Sequence, residues 1–149
     1  MRLHPVEKSD RIFKEAYQIT KDSFDAVEVP PVGLMREQYD IGAVFVRVNT
    51  SDADPGAVES FAIVTERFGC PFIWEIATRH DCRGLGLASS LLDEIVEYVR
   101  NIPAYGVGLI TRIDNPAQTL YFKKGYRVAQ ILPRYYPGKD GLYMKREVL

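Results

Sequence analysis

The stretch FIWEIATRHDCRGLGLASSLLDEIVEYVR, Phe72 to Arg100, decides how this chain folds. It opens with an apolar run that ends near Thr78, crosses a short polar link, and reaches Arg83, Gly84, Leu85, Gly86, Leu87 and Ala88. Beyond the glycines, Leu87, Leu91, Leu92, Ile95, Val96 and Val99 recur at helical spacing. The pattern predicts strand, glycine-rich turn, helix. Such a helix start points free backbone N–H groups at the turn, and the small residues let an anion approach the backbone closely. A pyrophosphate suits the place, because the helix dipole and several N–H donors act on it together. The P-loop pattern GxxxxGK(S/T) is absent, and the dinucleotide pattern GxGxxG is incomplete, with Ser89 where its third glycine would stand.

Composition bounds the remaining possibilities. At 149 residues the chain is expected to form one domain, 1–149, with a core of its own. A net charge of −1 gives no reason to expect a nucleic-acid or polybasic membrane binder. No apolar run approaches the ~20 residues of a membrane span, and MRLHPVEKSD lacks the apolar core of a signal peptide, so a cytoplasmic location is expected. Cys70 and Cys82 form no CxxC pair, and His4 and His80 stand far apart, so no metal set is visible. Both cysteines are expected as reduced thiols without a role.

Residues 2–7 read as a first edge strand. Ser9 or Asp10 can cap a helix running to about Phe24. Pro30-Pro31 breaks the chain, and Val32 to Tyr39 reads as a second short helix. Ile41 to Val48 and Val58 to about Phe68 read as strands joined by the turn cluster NTSDADPG, expected to pair as an antiparallel hairpin. Val107 to Arg112 reads as a buried strand that pairs in parallel with the strand ending at Thr78. Asn115 as N-cap, Pro116 at the first helical position, Gln118 in a capping box and Gly125 as an αL cap predict the next helix. Tyr126 to Leu132 and Leu142 to Val148 read as strands, with PRYYPGKDG between them as a loop. The order is βααβββαβαββ, a mixed α/β (α+β) class of about seven strands and four helices.

The turn fits (Q/R)-x-x-G-x-(G/A) as Arg83-x-x-Gly86-x-Ala88, and Asn115 to Tyr126 fits N-x-x-A/x-x-x-L-Y-x-x-x-G-(F/Y). Together they resemble the two acyl-CoA motifs of the GNAT superfamily of N-acetyltransferases, in the right order and on the right elements. The C-terminal half resembles the bacterial ribosomal-protein alanine N-acetyltransferases through Ile76-Ala77-Thr78, Arg83 to Ala88, Asn115, Tyr121, and Arg134-Tyr135-Tyr136-Pro137 with Asp140 and Met144. The resemblance implies a GNAT-like fold and acetyl-CoA as co-substrate, with no metal. It places Ile76, Ala77, Thr78, Arg83, Gly84, Leu85, Gly86, Leu87, Ala88 and Asn115 on that co-substrate, and Tyr135 and Tyr136 beside the acceptor. Arg83 acts through its guanidinium or through its backbone alone.

The implied reaction is direct acetyl transfer to a primary amine: a protein N-terminus, a lysine or a small amine. Neither cysteine is needed as a nucleophile. Tyr121 is the expected general acid for the leaving thiolate. The subgroup's base, a Glu five residues before the Asn, is replaced here by Ile110. Glu75 is the best-placed substitute, with Glu66, Asp114 or a water relay as the other options. His80 is expected in solvent and Trp74 in the core. Ile110 also supports a different reading, a catalytically silent acyl-CoA-binding or sensing module, and acetylation of antibiotic-like or polyamine substrates is the third. Oligomeric state stays open between monomer and homodimer.

Overall fold

The computed structural model describes residues 5–149. Its elements are α1 (Asp10–Ser23), α2 (Val32–Ile41), β1 (Ala43–Val48), β2 (Val58–Arg67), β3 (Cys70–Thr78), a 3₁₀ turn (His80–Cys82), α3 (Leu87–Arg100), β4 (Gly106–Arg112), α4 (Gln118–Lys123), β5 (Arg127–Tyr136) and β6 (Lys139–Glu147). The strands form one mixed sheet in the order β1-β2-β3-β4-β6-β5. Only β3 and β4 are parallel; every other neighbouring pair is antiparallel. The mixed α/β class is therefore as the sequence predicts, with six strands rather than seven among the described residues.

Local chemistry accounts for most boundaries. Ser9 caps α1, its Oγ accepting from the Ile12 N–H at 3.2 Å. In α3 the apolar positions bury Leu91, Leu92, Ile95, Val96 and Val99 on one face. That face meets Phe45, Ala62, Ile73, Val107, Leu109 and Met144 on one side of the sheet. On the other side, Phe13, Ala16 and Ile19 of α1 and Met35 and Tyr39 of α2 pack on Val44, Phe61 and Ile63. Two apolar layers thus hold helices on both faces of the sheet.

Four expectations are corrected. Half of the strand expected at residues 2–7 lies outside the described residues; Pro5 to Glu7 are not strand, although the Val6 N–H donates to the Val44 carbonyl at 2.9 Å. Ile41 ends α2 and is exposed, so β1 begins only at Ala43. The segment PRYYPGKDG is mostly hairpin, since β5 runs to Tyr136 through an irregularity between Leu132 and Tyr136 and pairs Tyr136 with Lys139. Arg134 takes φ 53° there, and its N–H donates to Asp140 Oδ1 at 2.9 Å. Loop-forming residues in this stretch serve a bulge and a tight turn rather than an open loop.

The capping box of α4 also fails to form. The Asn115 carboxamide accepts from the Ala117 N–H at 2.9 Å, but Gln118 Nε2 turns back to the carbonyls of Arg112 (3.3 Å) and Ile113 (2.5 Å). The helix starts two residues later than Pro116, at Gln118. Its end is as predicted. Gly125 at φ 93° donates to Phe122, and the Tyr126 N–H donates to Tyr121, the paired bonds of a Schellman ending. A side chain at 125 would be strained in this conformation and would press on Arg146, 3.0 Å away. Gly125→Ala should therefore cost about 1–2 kcal/mol, a fall of several degrees in Tm that thermal unfolding would register.

Candidate active site

The site exists because β3 and β4 separate. They pair only at Phe72–Gly108 and Ile73–Leu109. A register shift between β2 and β3 inserts Trp74 at that point, with Val64 opposite Ile73 and Ile63 opposite Glu75. Such a bulge bends the strand and strengthens its twist. Beyond Ile73 the two strands diverge, and a cleft of about 840 Å³ opens between them.

Sheet alternation gives the cleft two sides. Ile76 pairs with Ala62 and packs toward α3, while Glu75 pairs with Ile63 and faces the α1 side, where Trp74 also packs. On β4, Leu109 and Thr111 face α3, and Ile110 faces the α1 side.

On the α3 side lies the glycine turn. Gly84 and Gly86 take φ of 80° and 78°, a region that L side chains rarely adopt, and open space lies where their side chains would be. Gly86 is the N-cap of α3, and no side chain caps that helix. Its first N–H groups are left for a ligand, which is the fit a pyrophosphate requires. Arg83, Gly84, Gly86, Leu87 and Ala88 line the cleft, as do Ile76, Ala77, Thr78 and Asn115. Leu85 does not; it is 69% exposed and points away. The Arg83 guanidinium reaches the Thr78 carbonyl (3.4 Å) and Ser23 Oγ (3.3 Å), which holds its turn to β3 and α1.

Tyr121 of α4 packs among the core residues of this side, in edge-to-face contact with Tyr126 at 6.1 Å. It lines the cleft, and its hydroxyl takes no hydrogen bond from the described residues. Burial, and secondarily the charge of Glu75, push its phenol well above the ordinary value. A phenol in this state is protonated at any neutral pH and has a proton to give.

Across the cleft, burial raises the Glu75 carboxyl from 4.5 to about 8, and the Thr20 hydroxyl of α1 offsets this only in part. Tyr136 lines the same side, its hydroxyl donating to the Ile110 carbonyl at 3.4 Å. Tyr135 stands edge-on to it at 5.0 Å, with its hydroxyl accepting from Arg67 at 3.1 Å. Trp74, expected in the core, is half-buried and shared between core and cleft.

Sequence reasoning missed the contribution of the segment joining α1 to α2. Glu28 there is nearly buried and pairs with Arg112 of β4 at 2.5 Å. The same guanidinium reaches Asp25 (3.4 Å) and Asp114 (2.5 Å). No local motif marks Glu28; only the charge of Arg112, 84 positions away, holds it in the cleft. Asp114, one of the alternative bases, is thus committed to Arg112 and Lys139, which lower its pKa. Glu66 is exposed and outside the cleft. His80 is exposed, and Cys82 is buried with its thiol pushed up by burial, Glu59 and Asp81. Among the described residues no group of His, Cys, Asp and Glu could hold a metal ion, and no helix is long and apolar enough to cross a membrane.

Comparison with known proteins identifies the fold that carries this cleft. The model of the acetyltransferase (GNAT) family matches residues 13–126, and the chain belongs to that family. An uncharacterized N-acetyltransferase of Methanocaldococcus jannaschii is 33% identical over 92 residues, which make up 60% of this chain and 59% of that relative. The chain thus spans less than two thirds of that relative's length. A chain of the NatC complex bound to Gag peptide and CoA superposes with a TM-score of 0.85 at 15% identity, covering 97% of this chain and 96% of the other. The ribosomal-protein-S18-alanine N-acetyltransferase of Escherichia coli superposes with a TM-score of 0.80 at 21% identity, covering 97% and 91%.

The raised Glu75 carboxyl has a consequence for stability. The folded protein holds this proton up to about pH 8, whereas the unfolded chain releases it near 4.5. Between those values the folded state binds more protons, so Glu75 costs stability progressively as pH rises. Glu75→Gln should therefore flatten the decline of Tm between pH 5 and pH 8, measured by thermal unfolding across that range.

Proposed function

We propose that this chain, acting as a single domain over residues 1–149, is an acetyl-CoA-dependent N-acetyltransferase whose acceptor is a primary amine, foremost a protein N-terminus. The observation that carries the reading is the cleft through the sheet, with an uncapped glycine turn and Tyr121 on one side and Glu75 on the other. The NatC structure carries a peptide and CoA, and the Escherichia coli relative is an alanine N-acetyltransferase, which supports a peptide amine as acceptor.

Bound acetyl-CoA would supply an acetyl thioester. Its pyrophosphate falls to the N–H groups of Gly86, Leu87 and Ala88, with Arg83 bracing the turn. Asn115 and the edge of β3 from Glu75 to Thr78, which no longer meets β4, offer hydrogen-bond groups to its arm. The same β3 edge can hold a carbonyl oxygen that gains negative charge. An ammonium beside Glu75 favours the ionised carboxylate, which then removes a proton from the acceptor, since an ammonium has no lone pair for attack. The Tyr121 hydroxyl gives its proton to the departing sulfur.

Ile110 stands where the resembled subgroup has its base, which favours the second reading of a silent acyl-CoA module. Glu75 stands across the cleft from Ile110, so the acceptor side still has a carboxyl group, now on β3.

Titration with acetyl-CoA followed by CoA-thiol release on N-terminal peptides tests both readings. Binding with release supports the transferase, and binding without release on any amine supports the silent module. Gly86→Val should weaken acetyl-CoA binding at least tenfold. Tyr121→Phe should keep that affinity and lower kcat by about 100-fold, as loss of one general acid does. Glu75→Gln should do the same, read as kcat at saturating acceptor.

A further inference from the structure

The acceptor side of the cleft has a chemistry that selects among amines. Its apolar walls come from four separate parts of the chain: Phe24 and Leu34 flanking the segment between α1 and α2, Trp74 from the β3 bulge, Ile110 from β4, and Tyr136 from β5. Leu34 is 44% exposed in the first turn of α2. An apolar side chain left in water at a cleft mouth marks a surface that gains by being covered. The Tyr136 hydroxyl is already used on the Ile110 carbonyl, so beyond the Trp74 indole N–H these five side chains offer a polar acceptor little to bond.

The charges around the walls favour a cation. Arg112 is shared among Glu28, Asp25 and Asp114, and Lys139 pairs with Asp114 at 3.5 Å. Arg67, a further cation lining the cleft beside Arg83 of the glycine turn, stands by the β2–β3 turn and is bound to Tyr135. Among the described residues Glu75 has no cationic partner, and Glu28 uses Oε1 on Arg112, leaving Oε2. An ammonium placed between these two carboxyl groups is attracted by Glu28 and favours ionisation of Glu75, whereas an acidic group there is repelled by Glu28.

Resting on the acetyltransferase reading, we infer that the preferred acceptor carries a bulky apolar group next to its primary amine, as an N-terminal leucine, methionine or phenylalanine does. Glycine would leave the apolar walls uncovered, serine would set a hydroxyl against them, and an aspartate would meet Glu28. A free amine with an apolar body, such as phenethylamine, offers the same chemistry without a peptide chain. Peptide and free amine are therefore separate arms of the test.

The experiment measures CoA-thiol release at saturating acetyl-CoA with peptides that differ only in the first residue (Leu, Met, Phe, Gly, Ser, Asp), with an N-terminally blocked lysine peptide, and with phenethylamine. The expected result is a kcat/KM about 10- to 100-fold higher for Leu, Met or Phe than for Gly, Ser or Asp, the range that burial of one apolar side chain supplies. Leu34→Ala should lower the preference for Leu over Gly about tenfold. Its acetyl-CoA affinity, set on the opposite side of the sheet, reports that the variant is folded. Turnover of phenethylamine above every peptide would keep the apolar subsite and assign it to a small amine. Equal rates across the first residues, a preference for Ser or Asp, or fastest turnover of the blocked lysine peptide would overturn the inference while leaving the transferase intact. Absence of acetyl-CoA binding would remove the underlying reading, and the inference with it.

Discussion

The parting of β3 from β4 after two paired residues is the constraint on which the site depends. A continuous parallel ladder would fill the space with backbone hydrogen bonds and leave no passage through the sheet. Here the extra residue at Trp74 bends β3, and the sheet tolerates the loss because each strand is secured on its other edge. β3 pairs with β2 along almost its whole length, and β4 pairs with β6 over seven residues. The cost of opening one seam is thereby spread over two intact ones.

The opening brings opposite chemistries to its two sides. The α3 side has donors: uncapped N–H groups behind two glycines, and a phenol whose proton is held firmly by burial. The α1 side has acceptors and apolar surface: Glu75, Glu28, Trp74 and Ile110. An anionic thioester carrier and a cationic amine would approach from different faces and meet at the bulge. The same burial that makes the phenol a reluctant acid in water makes Glu75 a stronger base than a solvated carboxylate. Burial shifts Glu75 in the direction that its proposed task needs, and it keeps the Tyr121 phenol protonated until a strongly basic thiolate is there to take the proton.

The segment between α1 and α2 closes the acceptor side without regular structure of its own. The Tyr17 hydroxyl donates to the Pro30 carbonyl at 3.0 Å, and Arg112 holds Glu28 from across the cleft. Both ties are polar and one is an ion pair at the rim.

Much of this was present in the linear pattern. The run from Phe72 to Arg100 determined a strand, a turn requiring glycine and an amphipathic helix, because periodicity and positive φ are local properties. Gly125 determined the end of α4 for the same reason. Tyr121 and the Arg83–Ala88 turn were named through resemblance to the GNAT motifs and Glu75 from its place on the central strand; all of them line the cleft except Leu85, which is exposed. The β3 bulge, the partners of Arg112, the failed capping box at Gln118 and the strand character of Arg134 to Tyr136 were decided by tertiary structure. Each depends on what stands opposite in space: β2 for Trp74, Glu28 for Arg112, the Arg112 and Ile113 carbonyls for Gln118, and Asp140 for Arg134. Local sequence supplies a residue's own preferences, and the partner that overrides them is available only once the chain has folded.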